Sequence, residues 1–241
     1  MYSTRPHWLM RKIYPSAIWK IVPASDFSSL GRDKRGGEIF LTFDDGPIPE
    51  ITPWVLSVLK TYNAKATFFC VGANIKKHPE LFQQILAEGH SVGNHTYNHL
   101  NGWKTKTKDY IDNTEKCKKI ITNVHPQSSI IHCPLFRPPY GKLKRSQYSR
   151  LITQYSLIMW DVLSGDFDQK LSEEKCLKNV ISKTREGSIV VFHDSLKAKK
   201  NLFYVLPKFM DHFSKQGFRF DRLHLSDKKN EYHNRTDDRA Q

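Results

Sequence analysis

Beyond residue 37 the apolar positions of this chain switch repeatedly between two periods. "EIFLTF" (38–43) is an apolar, strand-like run, and "ITPWVLSVLKTYN" (51–63) places Trp54, Val55, Val58 and Leu59 at helical spacing. The switch recurs in "ATFFCVG" (66–72), a strand, and "PELFQQILAEG" (79–89), a helix opened by Pro and closed by Gly. "HSVGNH" (90–95) is extended, a long polar helix covers 107–124, and a Pro-rich passage leads to "LFRPPYG" (135–141). A helix near 144–153, a strand "SLIMWDV" (156–162), a helix near 172–184, a strand "SIVVFHD" (188–194), a helix near 201–214 and a strand "FRFDRL" (218–223) complete the pattern.

Seven or so strands, each followed by a helix, predict an α/β fold: a parallel sheet closed into a barrel. Residues 1–37 then form an N-terminal extension packing on the barrel, 38–225 the barrel domain, and 226–241 a polar, frayed or disordered tail. In such a barrel the C-terminal ends of the strands meet at one mouth. Asp44, Asp45, His95, Arg137, the stretch from Asp161 to Asp166, and His193 all fall at predicted strand ends, so the rim collects the polar residues that look misplaced.

Composition adjusts this picture only in part. The 241 residues, 39% of them hydrophobic, suffice for one sizeable core. A formal charge of +14 admits nucleic acid, an anionic membrane or an acidic polymer as partners. The lysines are scattered, however, and no zinc-finger or aromatic-interleaved basic motif occurs, so a solvated basic surface is expected and a nucleic-acid partner is not. Cys70, Cys117, Cys133 and Cys176 form no Cys-x-x-Cys and read as free thiols. "IYPSAIW" is too short and Pro-broken for a signal-peptide core or a membrane span, which points to the cytoplasm.

The candidate chemistry starts from "FDDGP". Two adjacent carboxylates at the end of an apolar strand repel each other and must be desolvated, so either they belong to a plain acidic turn or a cation compensates them. "HTYNH" offers His95 and His99, which on a helical turn lie about 5–6 Å apart and suit one metal ion. With 11 histidines, about half of one such pair is expected by chance, so the pair alone means little. A carboxylate from another strand end would complete a two-His, one-carboxylate face with a position left for water, and the second carboxylate could take that water's proton. Arg137, in a Pro-stiffened loop, could pair with an Asp, and the Tyr140 N–H could point at an oxyanion. His193 is either a satisfied core histidine or a proton donor, with Asp161, Asp166 and Asp168 available to orient it.

In order, "TFDDG" (42–46), "HTYNH" (95–99), "RPPYG" (137–141), "SGDF" (164–167) and "VFH" (191–193) resemble the polysaccharide deacetylase family, carbohydrate esterase family four, over about residues 38–221. The resemblance implies a distorted (β/α) barrel of about seven strands, 38–225 being the catalytic domain. It implies a divalent metal, zinc in the first place with cobalt, manganese or nickel as alternatives, held by Asp45, His95 and His99. It further implies Asp44 as catalytic base, Arg137 pairing with and tuning it, Tyr140 giving its N–H to the oxyanion, His193 as general acid and Asp166 supporting it. The substrate it implies is an acetylated carbohydrate such as a chitin oligomer, peptidoglycan or xylan. Two positions depart from the family pattern Asp-x-x-Asp-Trp: Leu163 stands for its first Asp and Phe167 for its Trp. Hydrolysis of a non-sugar amide, an inactive carbohydrate-binding barrel, and a non-haem iron oxygenase remain as alternatives, the last explaining neither Asp44 nor His193.

Overall fold

The computed structural model describes residues 8–21, 36–124 and 135–223. The expected tail 226–241, parts of the N-terminal extension (1–7 and 22–35) and Cys133 lie outside the described residues. The helices are α1 (Trp8–Ile13), α2 (Thr52–Thr61), α3 (Gly72–Lys77), α4 (Pro79–Ala87), α5 (Thr107–Val124), α6 (Arg145–Leu151), α7 (Glu173–Lys183) and α8 (Lys199–Ser214). The strands are β1 (Glu38–Asp44), β2 (Thr67–Cys70), β3 (Ser91–Asn94), β4 (Leu135–Phe136), β5 (Ser156–Leu157), β6 (Val162–Leu163), β7 (Ile189–His193) and β8 (Arg219–Asp221). No helix among the described residues is long and apolar enough to cross a membrane.

Seven strands follow the order β5-β4-β3-β2-β1-β7-β6, every pair parallel, and β8 joins β1 below the point where β2 takes over. The expected α/β barrel is therefore present in distorted form: β5 and β6 do not pair. Part of that seam is crossed by the N-terminal segment, whose Ile18 bridges Ile158 while Lys20 bridges Ser188. Tyr14, Ala17 and Trp19 of the same segment are buried, and the Tyr14 hydroxyl donates to the Leu143 carbonyl at 2.8 Å.

Alternation in β1 divides the core. Ile39, Leu41 and Phe43 face outward into the layer beneath the helices, beside Val55, Leu59 and Phe209, whereas Phe40 points into the barrel with Phe69, Ile158 and Ile189. Thr42 and Asp44 share that inward face, since strand side chains alternate. Local signals set the flanking helices: Pro79 opens α4, Gly89 follows it at φ +80°, and Ser172 caps α7 by accepting from the Lys175 N–H.

The structure corrects the sequence reading at four places. "SLIMWDV" is not one strand but two short ones; between them Ile158 keeps its N–H on the Phe136 carbonyl and bridges Ile18. "ATFFCVG" stops at Cys70, and Gly72 already opens α3. "HTYNH" is no helical turn: Thr96 and His99 sit at φ +62° and +54°. Asp161, expected on the rim, lies at the start of β6 and so at the opposite end; its N–H donates to the Ile189 carbonyl and it accepts from the Ser188 hydroxyl at 2.7 Å.

Candidate metal and acid–base site

Strand register explains why residues 50 to 150 positions apart meet. Asp44 is level with His193 on one side and Phe69 on the other; Cys70 pairs with Asn94, and Asn94 with Phe136. The strands thus end at one height, and the residues that follow these ends, Asp45, His95 and Arg137, emerge together. Asp44, Asp45, His95, His99, Arg137, Tyr140, Asp166 and His193 gather at this mouth; Asp168 stays on its own loop, accepting from the Lys170 N–H.

Arg137 is wholly buried inside the barrel, over the Phe69 ring at 4.1 Å. Its guanidinium donates to Asp44 Oδ1 and Thr42 Oγ1, both at 2.7 Å, and to the Ile158 and Met159 carbonyls at 3.3 and 2.9 Å. Burial lowers its pKa and Asp44 opposes that, so one buried charge is matched by another. With Oδ1 so engaged, Asp44 Oδ2 is left 4.0 Å from His95 Nε2.

His95 Nδ1 lies 2.8 Å from the Arg137 carbonyl, which can only accept, so the proton sits on Nδ1 and the Nε2 lone pair is free for a ligand role. Burial lowers the His95 pKa to about 4, against the pull of Asp44, and keeps the ring neutral. Asp45 Oδ1 stands 3.8 Å from His95 Nε2 and 3.2 Å from His99 Nε2, yet is an enclosed oxygen without a hydrogen bond. Burial would raise this carboxyl, but the adjacent His99 and then the charge of His193 hold it well below the usual carboxylate range. The three ligand atoms lie within 4.8 Å of one another. An orphaned carboxylate oxygen faced by two imidazole nitrogens is a donor set that a divalent cation completes.

On the other side His193 Nδ1 meets Asp166 Oδ1 at 2.7 Å, while Asp166 Oδ2 accepts the His193 backbone N–H at 2.8 Å. Both oxygens of this one carboxylate serve His193, so Leu163, level with Val191 in the sheet, leaves the imidazole with an acid partner nonetheless. Phe167 packs edge-on against the His193 ring with centroids 5.0 Å apart. Burial would lower the His193 pKa, but Asp166, then Asp45 and Asp44, lift it to about 9.

Four of the five non-glycine residues at positive φ among the described residues are here: Asp45, Thr96, His99 and Tyr140. Backbone strain of this kind persists only where the surroundings over-determine it. The supports are residues the sequence reading missed. Asn74 donates to the Asp45 carbonyl at 2.8 Å. Asp194 is fully buried; it accepts from the Gly46 N–H at 2.9 Å and the Thr52 hydroxyl at 2.6 Å, and its own N–H donates to the Asp44 carbonyl. Burial, with help from Asp45, pushes the Asp194 carboxyl up to about 8. Its signal was in view, since it directly follows His193 in "VFHD". Tyr140, at φ +60° in a short 3-10 turn, turns its ring edge to His99 at 4.7 Å, and no acceptor among the described residues takes its N–H. The described cysteines, Cys70, Cys117 and Cys176, are free and buried, and burial raises each thiol.

Residues 31–155, just over half of the chain, match the family described as Polysaccharide deacetylase. Two peptidoglycan-N-acetylglucosamine deacetylases of Bacillus cereus are similar to this chain. One is 36% identical over 160 residues, which are 66% of this chain and 56% of that protein. The other is 32% identical over 184 residues, 76% of this chain and 84% of that protein. The chain therefore spans little more than half of the first relative and most of the second. Among solved structures, the peptidoglycan deacetylase PdaC of Bacillus subtilis is similar with a TM-score of 0.69 at 26% identity, covering 79% of this chain and 89% of that one.

Proposed function

This chain belongs to the polysaccharide deacetylase family, carbohydrate esterase family four, and we propose that it is a metal-dependent hydrolase removing acetyl groups from N-acetylated sugars. The observation that carries the reading is that both proton-transfer groups, each with its own counter-charge, share one mouth with the Asp45, His95 and His99 donor set. Asp44 rests on Arg137 and His193 on Asp166. A binding barrel would need neither group.

A divalent cation held by Asp45, His95 and His99, zinc in the first place, would supply Lewis acidity and make water acidic near neutral pH. Asp44 Oδ2 takes a proton from the attacking water as the new C–O bond forms at the acetyl carbon. Arg137 holds the carboxylate in place and keeps its other oxygen occupied. The developing negative charge on the carbonyl oxygen is met by the Tyr140 N–H. His193 then protonates the amine nitrogen as the C–N bond breaks, since an unprotonated amide nitrogen leaves poorly. Two titratable groups with opposite tasks and opposite partners are what acid–base catalysis requires.

The test is acetate release from N-acetylglucosamine oligomers, peptidoglycan fragments and acetylated xylan, with protein stripped of metal and then reloaded with zinc. Metal-dependent acetate from an N-acetylated sugar is the expected result. Tight zinc binding with no acetate from any of the three would overturn the reading in favour of an amide outside the sugars.

A second expectation concerns the acid. In the metal-free protein, NMR titration of His193 should give a pKa near 9, and Asp166→Asn should bring it well down, because Asp166 is the largest of the charges that oppose burial and only Asp45 and Asp44 then remain. The folded value lies above the unfolded one, so the stabilisation from this proton is complete below pH 6.5 and is lost as the pH rises through about 9. A His193 that titrates at 6.5 in both proteins would show that Asp166 does not charge it.

A further inference from the structure

Beside the mouth, two exposed aromatic side chains remain without a task. Trp103 is 53% and Tyr140 60% exposed, on loops that continue directly from His99 and Arg137. An exposed indole is ordinarily mobile, but this one is fixed. Its Nε1–H donates to the Leu143 carbonyl at 3.1 Å, and its backbone N–H is capped by the Asn101 side chain at 3.0 Å. The turn that carries it, Gly102–Lys104, lies so close to the Tyr140 loop that a Cβ on Gly102 would fall 2.2 Å from the Lys142 carbonyl. Gln147 Nε2, donating to the Gly102 carbonyl at 3.0 Å, and Lys144 Nζ, donating to the Thr105 carbonyl at 2.8 Å, tie the two loops together. Lys142 holds its ammonium 4.9 Å over the Trp103 ring and has no carboxylate partner among the described residues.

We propose that Trp103 and Lys142, continued by the Tyr140 ring, form a specificity-determining platform for a carboxylate-bearing glycan. A sugar ring beside the reacting one stacks on the indole, and its acidic substituent pairs with Lys142. The inference rests on the deacetylase reading for the position of the reacting sugar. A rigid aromatic ring suits the C–H face of a pyranose at small entropic cost, and an ammonium held over that ring has nothing to meet on a neutral oligomer. Lys104 and Lys106, both exposed on the same loop, add to the attraction.

The probes are an oligomer of N-acetylglucosamine alternating with its 3-O-lactyl ether, and the same oligomer with the lactyl carboxylates amidated. For the metal-loaded protein, kcat/KM on the acidic probe should exceed that on the amidated one. Lys142→Gln should erase about a two- to fivefold part of that preference, as a half-exposed ion pair allows. Added salt should erase the same part in the unaltered protein and little more in the variant. Trp103→Ala should raise KM about tenfold on both probes with kcat nearly kept, the scale of one lost stacking contact. Equal treatment of the two probes by the unaltered protein, or an equal effect of Lys142→Gln on both, overturns the platform. Binding of each probe to the metal-free protein, followed by tryptophan fluorescence, separates the two ideas. Carboxylate-dependent binding without acetate release leaves the platform standing and the deacetylase reading fallen, whereas acetate release without carboxylate preference does the reverse.

Discussion

Asp44→Asn is expected to lower kcat for acetate release by about 10²–10⁴-fold, the range that a positioned general base contributes. The amide has the shape of the carboxylate and still accepts from the Arg137 guanidinium, which reaches Asp44 Oδ1 at 2.7 Å. What it cannot do is take a proton. Because the Arg137 charge then loses its counter-charge, some stability goes as well, about 1–3 kcal/mol for a buried charged group partly deprived of its partner. Zinc affinity, measured by competition with a chelating dye, serves as the control for folding, since Asp45, His95 and His99 are all retained. Undiminished turnover with zinc bound would remove Asp44 from the proton transfer and leave "FDDGP" with Asp45 as its one working carboxylate.

Arg137→Met is expected to cost about 3–5 kcal/mol of unfolding free energy, the usual penalty for removing one partner of a buried ion pair. The reason lies in the surroundings: Arg137 is fully buried, Asp44 nearly so, and the guanidinium also satisfies Thr42 Oγ1 and two main-chain carbonyls. Most of that cost is an uncompensated carboxylate in a dry interior. Adding Asp44→Asn to Arg137→Met should therefore restore stability rather than lower it further, a non-additivity that denaturant unfolding of the four proteins reads directly. Simple addition of the two losses would mean that the pair is not coupled and that Arg137 acts only as packing.

Not all of the site was equally legible. The Asp44 and Asp45 doublet stood out because an apolar, strand-like run ended on two charges, a conflict visible within one short stretch. His95 and His99 do converge, with rings 5.0 Å apart, but not through the helical turn their spacing implied. A loop with two residues at positive φ brings them together instead, and nothing in a four-residue interval distinguishes the two routes. Asp161 was misplaced because "SLIMWDV" reads as one strand. Beside its break Ile158 bridges Ile18, 140 positions away, a contact that no local stretch shows. Thr42 and Asn74 escaped for a related reason: each acts through main-chain atoms or another side chain of the site, a role that leaves no mark in residue type, whereas Asp194 was marked only by its place beside His193.

The sequence by itself determined the alternation of strands and helices, and hence a parallel α/β barrel. It also placed Asp44, Asp45 and His193, though not Asp161, at the ends of apolar runs, because both follow from short-range periodicity and from the desolvation cost of charges beside such runs. Only the tertiary structure decided the open seam between β5 and β6, the strap that crosses it, the pairing of Asp44 with Arg137 rather than with another cation, and the junction of Trp103 with Lys142. Those outcomes rest on strand register and on contacts between segments tens of residues apart, where the free energy of one arrangement over another comes from many weak interactions that no local stretch contains.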